Sequence, residues 1–241
     1  MKFNIFKNES FKTIFLAIFI ALLIRSFLIE PFNIPSGSMK PTLLVGDFLF
    51  VKKWSYGYSK HSLPFSIPII KDRIFSSPPN RGDIVVFKTP SDNKTDYIKR
   101  VIGIPGDKIQ LKNGVVFLND NPLTKIQTGD FIDKDVYNNK IIIQKFKENI
   151  ANKNYETLDL IKGGIADNTG IYKVPDKHFF VLGDNRDNST DSRFSNVGFI
   201  HEKNLVGKAW VIFFSLENSY FYEIWKWPKS IRYNRLFSLI T

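Results

Sequence analysis

Thr13 to Ile24, TIFLAIFIALLI, is a continuous run in which every residue after Thr13 is apolar, and beyond Arg25 the chain continues Ser26-Phe27-Leu28-Ile29. These roughly 17 residues make about 25 Å of helix, just short of the ~30 Å hydrocarbon core of a bilayer. Arg25 stands near one end, where its long stem can reach the interface. The pattern predicts one N-terminal transmembrane helix over residues 13–29. Lys2, Lys7 and Lys12 precede it, which keeps residues 1–12 cytoplasmic and places everything after Glu30 outside. A cleavable signal peptide and a buried soluble helix would give similar runs, but no convincing small-x-small cleavage site follows this one.

After Leu44 the period changes. Phe48–Val51, Ile84–Phe87, Tyr97–Ile104, Phe179–Leu182 and Leu205–Phe214 read as core strands. Lys108–Leu118 reads as a hairpin with Asn113-Gly114 as a type I′ turn. Val45-Gly46-Asp47, Arg81-Gly82-Asp83 and Pro105-Gly106-Asp107 read as turns, the RGD tripeptide included. Lys52–Pro79 is irregular yet rich in apolar residues, either a satellite core or a patch on the bilayer. From Asn121 to about Tyr172 Asn, Lys and Asp become frequent. Only Ile141–Ile143 stands out there as a strand, in what reads as an inserted small β subdomain or cap. The tail mixes Tyr220, Phe221, Tyr222, Trp225, Trp227 and Phe237 with Lys226, Lys229, Arg232 and Arg235. That is the composition of an interfacial segment, or of a terminal helix packed on the domain. The expected organisation is residues 1–12, an anchor at 13–29, a β domain from 30–120 with 173–216, a cap at 121–172 and a tail at 217–241.

The 241 residues, 43% hydrophobic and 15% aromatic, allow one large or two small domains with a proper core. The formal charge of +11 suits a polyanion or an anionic membrane face. Cysteine is absent, which removes thiol catalysis, thiolate metal sites and disulfides. The three histidines, His61, His178 and His201, form no metal or catalytic motif. Catalysis, if present, falls to Ser, Thr, Lys, Asp, Glu or Tyr.

Three stretches carry candidate chemistry. In Ile34–Leu44, IPSGSMKPTLL, two prolines stiffen a segment that offers Ser36 and Ser38 beside Gly37. It is either a turn between apolar runs or a nucleophile held against a peptide carbonyl. On the strand around Lys99, Tyr97, Lys99 and Val101 share one face, and Ile98, Arg100 and Ile102 the other. One of two adjacent cations therefore points to an apolar side. Arg stays charged, whereas a buried Lys can lose its proton. A shift from ~10.4 to about 8 costs roughly 3.3 kcal/mol. Lys99 is then either a base for Ser38 or a surface residue on an edge strand. Gly183–Arg193, GDNRDNSTDSR, is a self-satisfied polar loop. It lacks the sixth-position Gly and twelfth-position Glu of a calcium loop.

IPSGSMKPTL, RGDIVVFK with DYIKRVIGIPGD, and GDNRDNSTDSR, in that order behind an N-terminal anchor, resemble the bacterial type I signal peptidases, or leader peptidases. The resemblance is strong over Arg25–Asp107 and Phe179–Gly207 and weak in 121–172 and the tail. It implies a mostly β fold of coiled antiparallel sheets with an apolar surface on the membrane. It implies Ser38 as nucleophile and Lys99 as general base, with the Ser38 backbone N–H and the Ser36 hydroxyl as oxyanion donors. Ser189 matches a hydroxyl that orients the lysine amine, Asp191 and Arg193 a supporting ion pair, and Asp184 and Arg186 the same supporting loop. Phe32, Ile34, Pro35, Tyr97 and Ile98 match pocket positions for small residues of a signal peptide. Lys40 is a departure, where an apolar residue is as frequent.

The resulting expectation is a single-pass inner-membrane serine endopeptidase with its catalytic domain on the outer, periplasmic face. It would remove signal peptides from secretory precursors through an acyl-enzyme, with no metal or cofactor. Its partners would be precursors and the phospholipid membrane, not nucleic acid. A non-catalytic, membrane-anchored module contacting anionic lipid or protein is the alternative. Self-cleaving repressor-type proteases share Ser/Lys chemistry, but nothing before Ser38 resembles a DNA-binding domain.

Overall fold

The computed structural model describes residues 3–134, 139–217, 219 and 222–240. Lys2, Tyr220 and Phe221 of the expected flanks lie outside the described residues. The helix α1 (Phe3–Leu23) continues through a π-helical turn, Ile24–Leu28, straight into β1 (Ile29–Asn33). It begins before the apolar run, and Glu9 and Lys12 pair on its polar part at 3.6 Å. The strongly apolar span covers Glu9–Leu28, 20 residues or about 30 Å. Ile29 belongs to the strand because it pairs with Lys52.

The remaining strands, in chain order, begin with β2 (Asp47–Lys52), β3 (Ile84–Lys88), β4 (Asp96–Gly103), β5 (Lys108–Lys112), β6 (Val115–Leu118) and β7 (Asn121–Pro122). Next come β8 (Lys125–Lys134), β9 (Lys140–Ile150), β10 (Lys153–Asp159) and β11 (Tyr172–Lys173). The last are β12 (His178–Leu182), β13 (Ile200–His201), β14 (Leu205–Ser215) and β15 (Ser238–Leu239). The main sheet runs β1-β2-β14-β3-β4-β12-β13, with β15 added beside β14. Its pairings are antiparallel, so the fold is mostly β, as expected.

β2 alternates buried and half-buried positions, so Leu49 and Val51 enter the core. β3 is apolar and buried on both faces. Ile84 and Val86 join one cluster with Met39 and Leu43, whereas Val85 and Phe87 join another with Val101 and Val181. Register shifts along β14, at Leu205/Gly207, Ala209/Val211 and Ile212/Phe214, bend and coil the sheet. β5 and β6 form the expected hairpin, with φ of +49° at Asn113 and +72° at Gly114, as a type I′ turn requires.

β8, β9 and β10 make a separate three-stranded sheet, where only Ile141–Ile143 had read as a strand. β8 is exposed or half-buried throughout, with its polar and charged residues unconstrained by a core, so period-2 alternation never emerged. The irregular stretch after β2 divides between both sequence readings. Tyr56 is buried in the second cluster, while Ile69 and Phe75 are 74% and 83% exposed. The tail is folded onto the sheet without a long helix. Arg235 donates to both carboxylate oxygens of Asp47 at 3.0 and 2.6 Å, β15 pairs with β14, and among the described residues of the tail only Trp227–Ser230 is α-helical, as α2.

Candidate active site

The turn after β1 is pinned from both ends. Ile34 packs in the core at 4% exposure, and its N–H donates to the Asp47 carbonyl at 2.8 Å. Met39 and Leu43 are buried just beyond. Between these anchors the loop offers Ser36 and Ser38 to a cleft. The Asn185 side-chain amide donates to the Gly37 carbonyl at 3.0 Å, and the Asn185 N–H to the Ser38 carbonyl at 3.1 Å. Gly183 makes this approach possible, since a Cβ there would meet Ser189 Oγ at 2.1 Å and the Ser38 carbonyl oxygen at 2.6 Å.

β4 delivers Lys99 from the other side. Its Nζ lies 2.6 Å from Ser38 Oγ, and the side chain is buried. Burial pulls the Lys99 pKa down to about 8; Asp191 and Asp184 oppose the shift, and Arg193 adds to it. Ser36 Oγ is 3.5 Å from Ser38 Oγ. Among the described residues nothing accepts a hydrogen bond from the Ser38 N–H.

β4 is not an edge strand, and both of its adjacent cations are buried. Arg100 donates through Nε and Nη2 to the two oxygens of Asp184 at 2.9 and 2.8 Å. Thr42 Oγ1 donates to the same carboxylate at 2.5 Å. Asp184 and Arg186 share the polar loop but do not pair with each other. Arg186 instead donates to Glu148 of β9 at 2.5 Å, and Tyr155 of β10 donates to Glu148 at 2.7 Å. Asp191 accepts from Arg193 at 2.8 Å, from the Gly183 N–H at 3.0 Å and from Ser189 Oγ at 2.8 Å. The Ser189 hydroxyl thus donates to a carboxylate, and no hydrogen bond joins it to the Lys99 amine among the described residues. Lys40 is half-buried and pairs with Asp133 of β8 at 2.6 Å, which ties the serine loop to the inserted sheet.

Phe32, Ile34, Pro35, Tyr97 and Ile98 line one cleft of about 480 Å³ together with Ser36, Ser38 and Lys99. Sequence reasoning missed Asn33, Thr95, Asp96, Asn188 and Thr190 on its wall. Asn188 and Thr190 lie in the flagged loop, but no spacing says that they face the cleft. β1 is the sheet's edge, and β4 pairs with β12 only from Arg100 onward. Asp96–Lys99 therefore also keeps one backbone edge open. The arrangement offers a desolvated amine on a hydroxyl, a free N–H beside it, and two strand edges flanking an apolar groove.

Residues 7–214 match the family described as signal peptidase, peptidase S26, and the chain belongs to that family. It is a serine peptidase, and hence a hydrolase. Signal peptidase I of Rickettsia typhi is 41% identical over 249 aligned residues, covering 95% of this chain and 92% of that protein. Signal peptidase I of Rickettsia conorii is 44% identical over 237 residues, covering 90% and 87%. A crystal structure of a signal peptidase I from Enterococcus faecalis is 26% identical, covers 55% of this chain and 97% of that one, and has a TM-score of 0.33. Family membership sets aside the alternative of a non-catalytic module.

Proposed function

We propose that this chain is a membrane-anchored endopeptidase that removes signal peptides from secretory precursors by Ser38/Lys99 chemistry. The observation that carries the reading is the buried Lys99 amine 2.6 Å from Ser38 Oγ, at the floor of a groove bounded by two open strand edges. The precursor enters extended and adds a strand beside residues 32–36 and 96–98. The apolar walls at Phe32, Ile34 and Ile98 leave room for small side chains. Neutral Lys99 takes the Ser38 proton as Oγ attacks the scissile carbonyl. The Ser38 N–H and the Ser36 hydroxyl receive the developing oxyanion. Collapse transfers that proton from Lys99 to the departing amine of the mature protein and leaves the signal peptide as an acyl ester on Ser38. Lys99, neutral again, takes a proton from the attacking water and returns it to Ser38 Oγ as the acyl group leaves. Asp191 with Arg193, and Asp184 with Arg100, hold the wall behind the lysine, and Ser189 braces Asp191.

The anchored topology is part of the proposal. Large side chains from Phe11 to Leu28 stand exposed around the helix, 69% at Phe11 and 66% at Phe15, and water does not sustain so continuous an apolar surface. The basic residues before it put the N-terminus in the cytoplasm and the sheets outside. The division into a catalytic β domain, 30–120 with 173–216, and an insertion at 121–172 is proposed alongside, on the separate β8–β10 sheet.

The test is cleavage of a precursor bearing a small-x-small site by the detergent-solubilised full-length chain, with the product's new N-terminus sequenced across pH. At pH 7 a lysine of pKa about 8 is about 10% neutral, against about 0.03% for one left at 10.5. The value of kcat/KM is therefore expected to rise about tenfold per pH unit below 8 and to level off above it. A flat profile from pH 6 to 9 would remove Lys99 as the base. Ser36→Ala is expected to lower kcat by ~10²–10³ with little change in KM. A loss confined to KM would place Ser36 in binding instead.

A further inference from the structure

A second cleft, of about 340 Å³, opens between the irregular segment after β2 and the turn after β13. Lys60, Lys71, Arg73 and Lys203 line it, with Asp72 as the one carboxylate on its wall. Asp72 is taken up by Lys203 at 2.7 Å. Arg73 spends its donors on the carbonyls of Tyr56, Gly57, Glu202 and Leu205, which fixes it as a buttress of the wall. Lys60 and Lys71 have no carboxylate partner among the described residues. The local potential is positive. Burial pulls His61, on the same wall, down to a pKa of about 4, and Lys60, Lys88, Arg73 and Lys53 add to the shift.

The cleft lies close to the end of the N-terminal helix. His61 also lines a small cavity with Arg25 and Glu30, where α1 ends. Lys53 donates to Glu30 at 2.6 Å and to the His61 carbonyl at 3.1 Å, and Arg25 donates to Glu30 at 2.8 Å. The Tyr58 hydroxyl donates to the Phe27 carbonyl at 2.9 Å, and the two rings meet edge to face at 5.5 Å. The basic wall is thus tied to the last turn of the helix. Exposed Ile67, Ile69, Ile74 and Phe75 bracket it in the same segment. Apolar side chains beside unpaired lysines at a helix exit match the depth at which lipid phosphates sit.

We propose that this cleft binds the phosphodiester headgroup of an anionic phospholipid, with Lys60 and Lys71 as its counter-charges. The proposal rests on the anchored reading above. A bound headgroup would fix how the sheets stand on the bilayer, and with that the height of the catalytic groove above it.

The experiment uses the full-length chain reconstituted in phosphatidylcholine vesicles. These carry trace amounts of a headgroup-photoactivatable phosphatidylglycerol or, separately, the matching phosphatidylcholine probe. Labelled peptides are read by mass spectrometry. The phosphatidylglycerol probe is expected to label residues 59–73 and 201–204 selectively. Apparent affinity should fall about 30-fold in Lys60→Gln/Lys71→Gln, about fivefold per cation. Lys147→Gln/Lys162→Gln, a change of two exposed lysines elsewhere, should leave it unchanged. Equal labelling by both probes, or an unchanged Lys60→Gln/Lys71→Gln variant, overturns the proposal. So does displacement of the lipid probe by millimolar inorganic phosphate, which would mark a free-phosphate site. Co-flotation with the vesicles after alkaline carbonate reports the anchor on its own. A chain that fails to float loses both readings, and one that floats without selective labelling loses only this one.

Discussion

Ser38→Ala and Lys99→Met variants of the full-length chain are expected to cleave a precursor at least ~10⁴-fold more slowly than the parent, mostly through kcat. The two side chains act as one unit, so each single change and the double change should cost about the same. Stability should move the other way for Lys99. Its folded-state pKa, about 8, is below its unfolded value of 10.5. Below pH 8 the unfolded chain therefore holds this proton more tightly than the folded one. Folding then carries a penalty of about 3 kcal/mol, fully present below pH 8 and relieved as the pH rises from 8 toward 10.5. Lys99→Met removes the charge and keeps the volume, so Tm at pH 7 is expected to rise by roughly 6–12 °C while activity disappears. An inactive variant with an unchanged or lower Tm would mean that the amine is not desolvated as the geometry indicates. A Ser38→Ala variant that still cleaves at the same bond would remove the serine from the chemistry.

Glu148→Gln is expected to be the most destabilising single change outside the groove. Glu148 is 1% exposed and is the only carboxylate that bonds Arg186, itself 3% exposed, among the described residues. Two of the three guanidinium nitrogens of Arg186, Nε and Nη1, already lack hydrogen-bond partners. Removing the counter-charge leaves a buried cation nearly bare, at a cost of about 3–5 kcal/mol. The loss should spread to the catalytic wall. The Arg186 carbonyl accepts from Arg193 at 2.6 Å, and its N–H donates to the Leu158 carbonyl at 2.9 Å. Protease nicking within 183–193 and a fall in kcat are the expected companions of the lower Tm. Glu148→Met with Arg186→Met should recover most of the stability, since an apolar pair needs no counter-charge. If Glu148→Gln melts with the parent, the insertion does not brace the loop.

Much of the site was legible because its parts are local. Pro35 and Pro41 shape the serine loop within ten residues. Strands β3 and β12 are short apolar runs bounded by turns. Asn113-Gly114 tolerates the positive φ that both central positions of a type I′ turn require. The inserted sheet was not legible, because β8 is exposed or half-buried along its whole length and its charged residues break the alternation. Glu148 gave no signal, since its partner Arg186 lies 38 positions away in the polar loop after β12. Of the adjacent cations Lys99 and Arg100, the alternation required one to face an apolar side. Both are buried, because Asp184 reaches β4 on the face away from Ser38 and neutralises Arg100 there.

The sequence by itself determined the apolar N-terminal run and the core strands, through hydrophobic run length and period-2 alternation, and the reactive residue types, through the absence of cysteine. The peptidase family came from the resemblance carried by its three ordered stretches. Only the tertiary structure decided which groups meet. It brought Lys99 to Ser38 across 61 positions and depressed the lysine by burial. It gave Asp191 the Ser189 hydroxyl, drew the inserted sheet into the support of the loop, and set a basic cleft at the helix exit. The reason is physical: desolvation and ion pairing depend on what fills the surrounding few ångströms, and in a coiled antiparallel sheet those neighbours are remote in the chain.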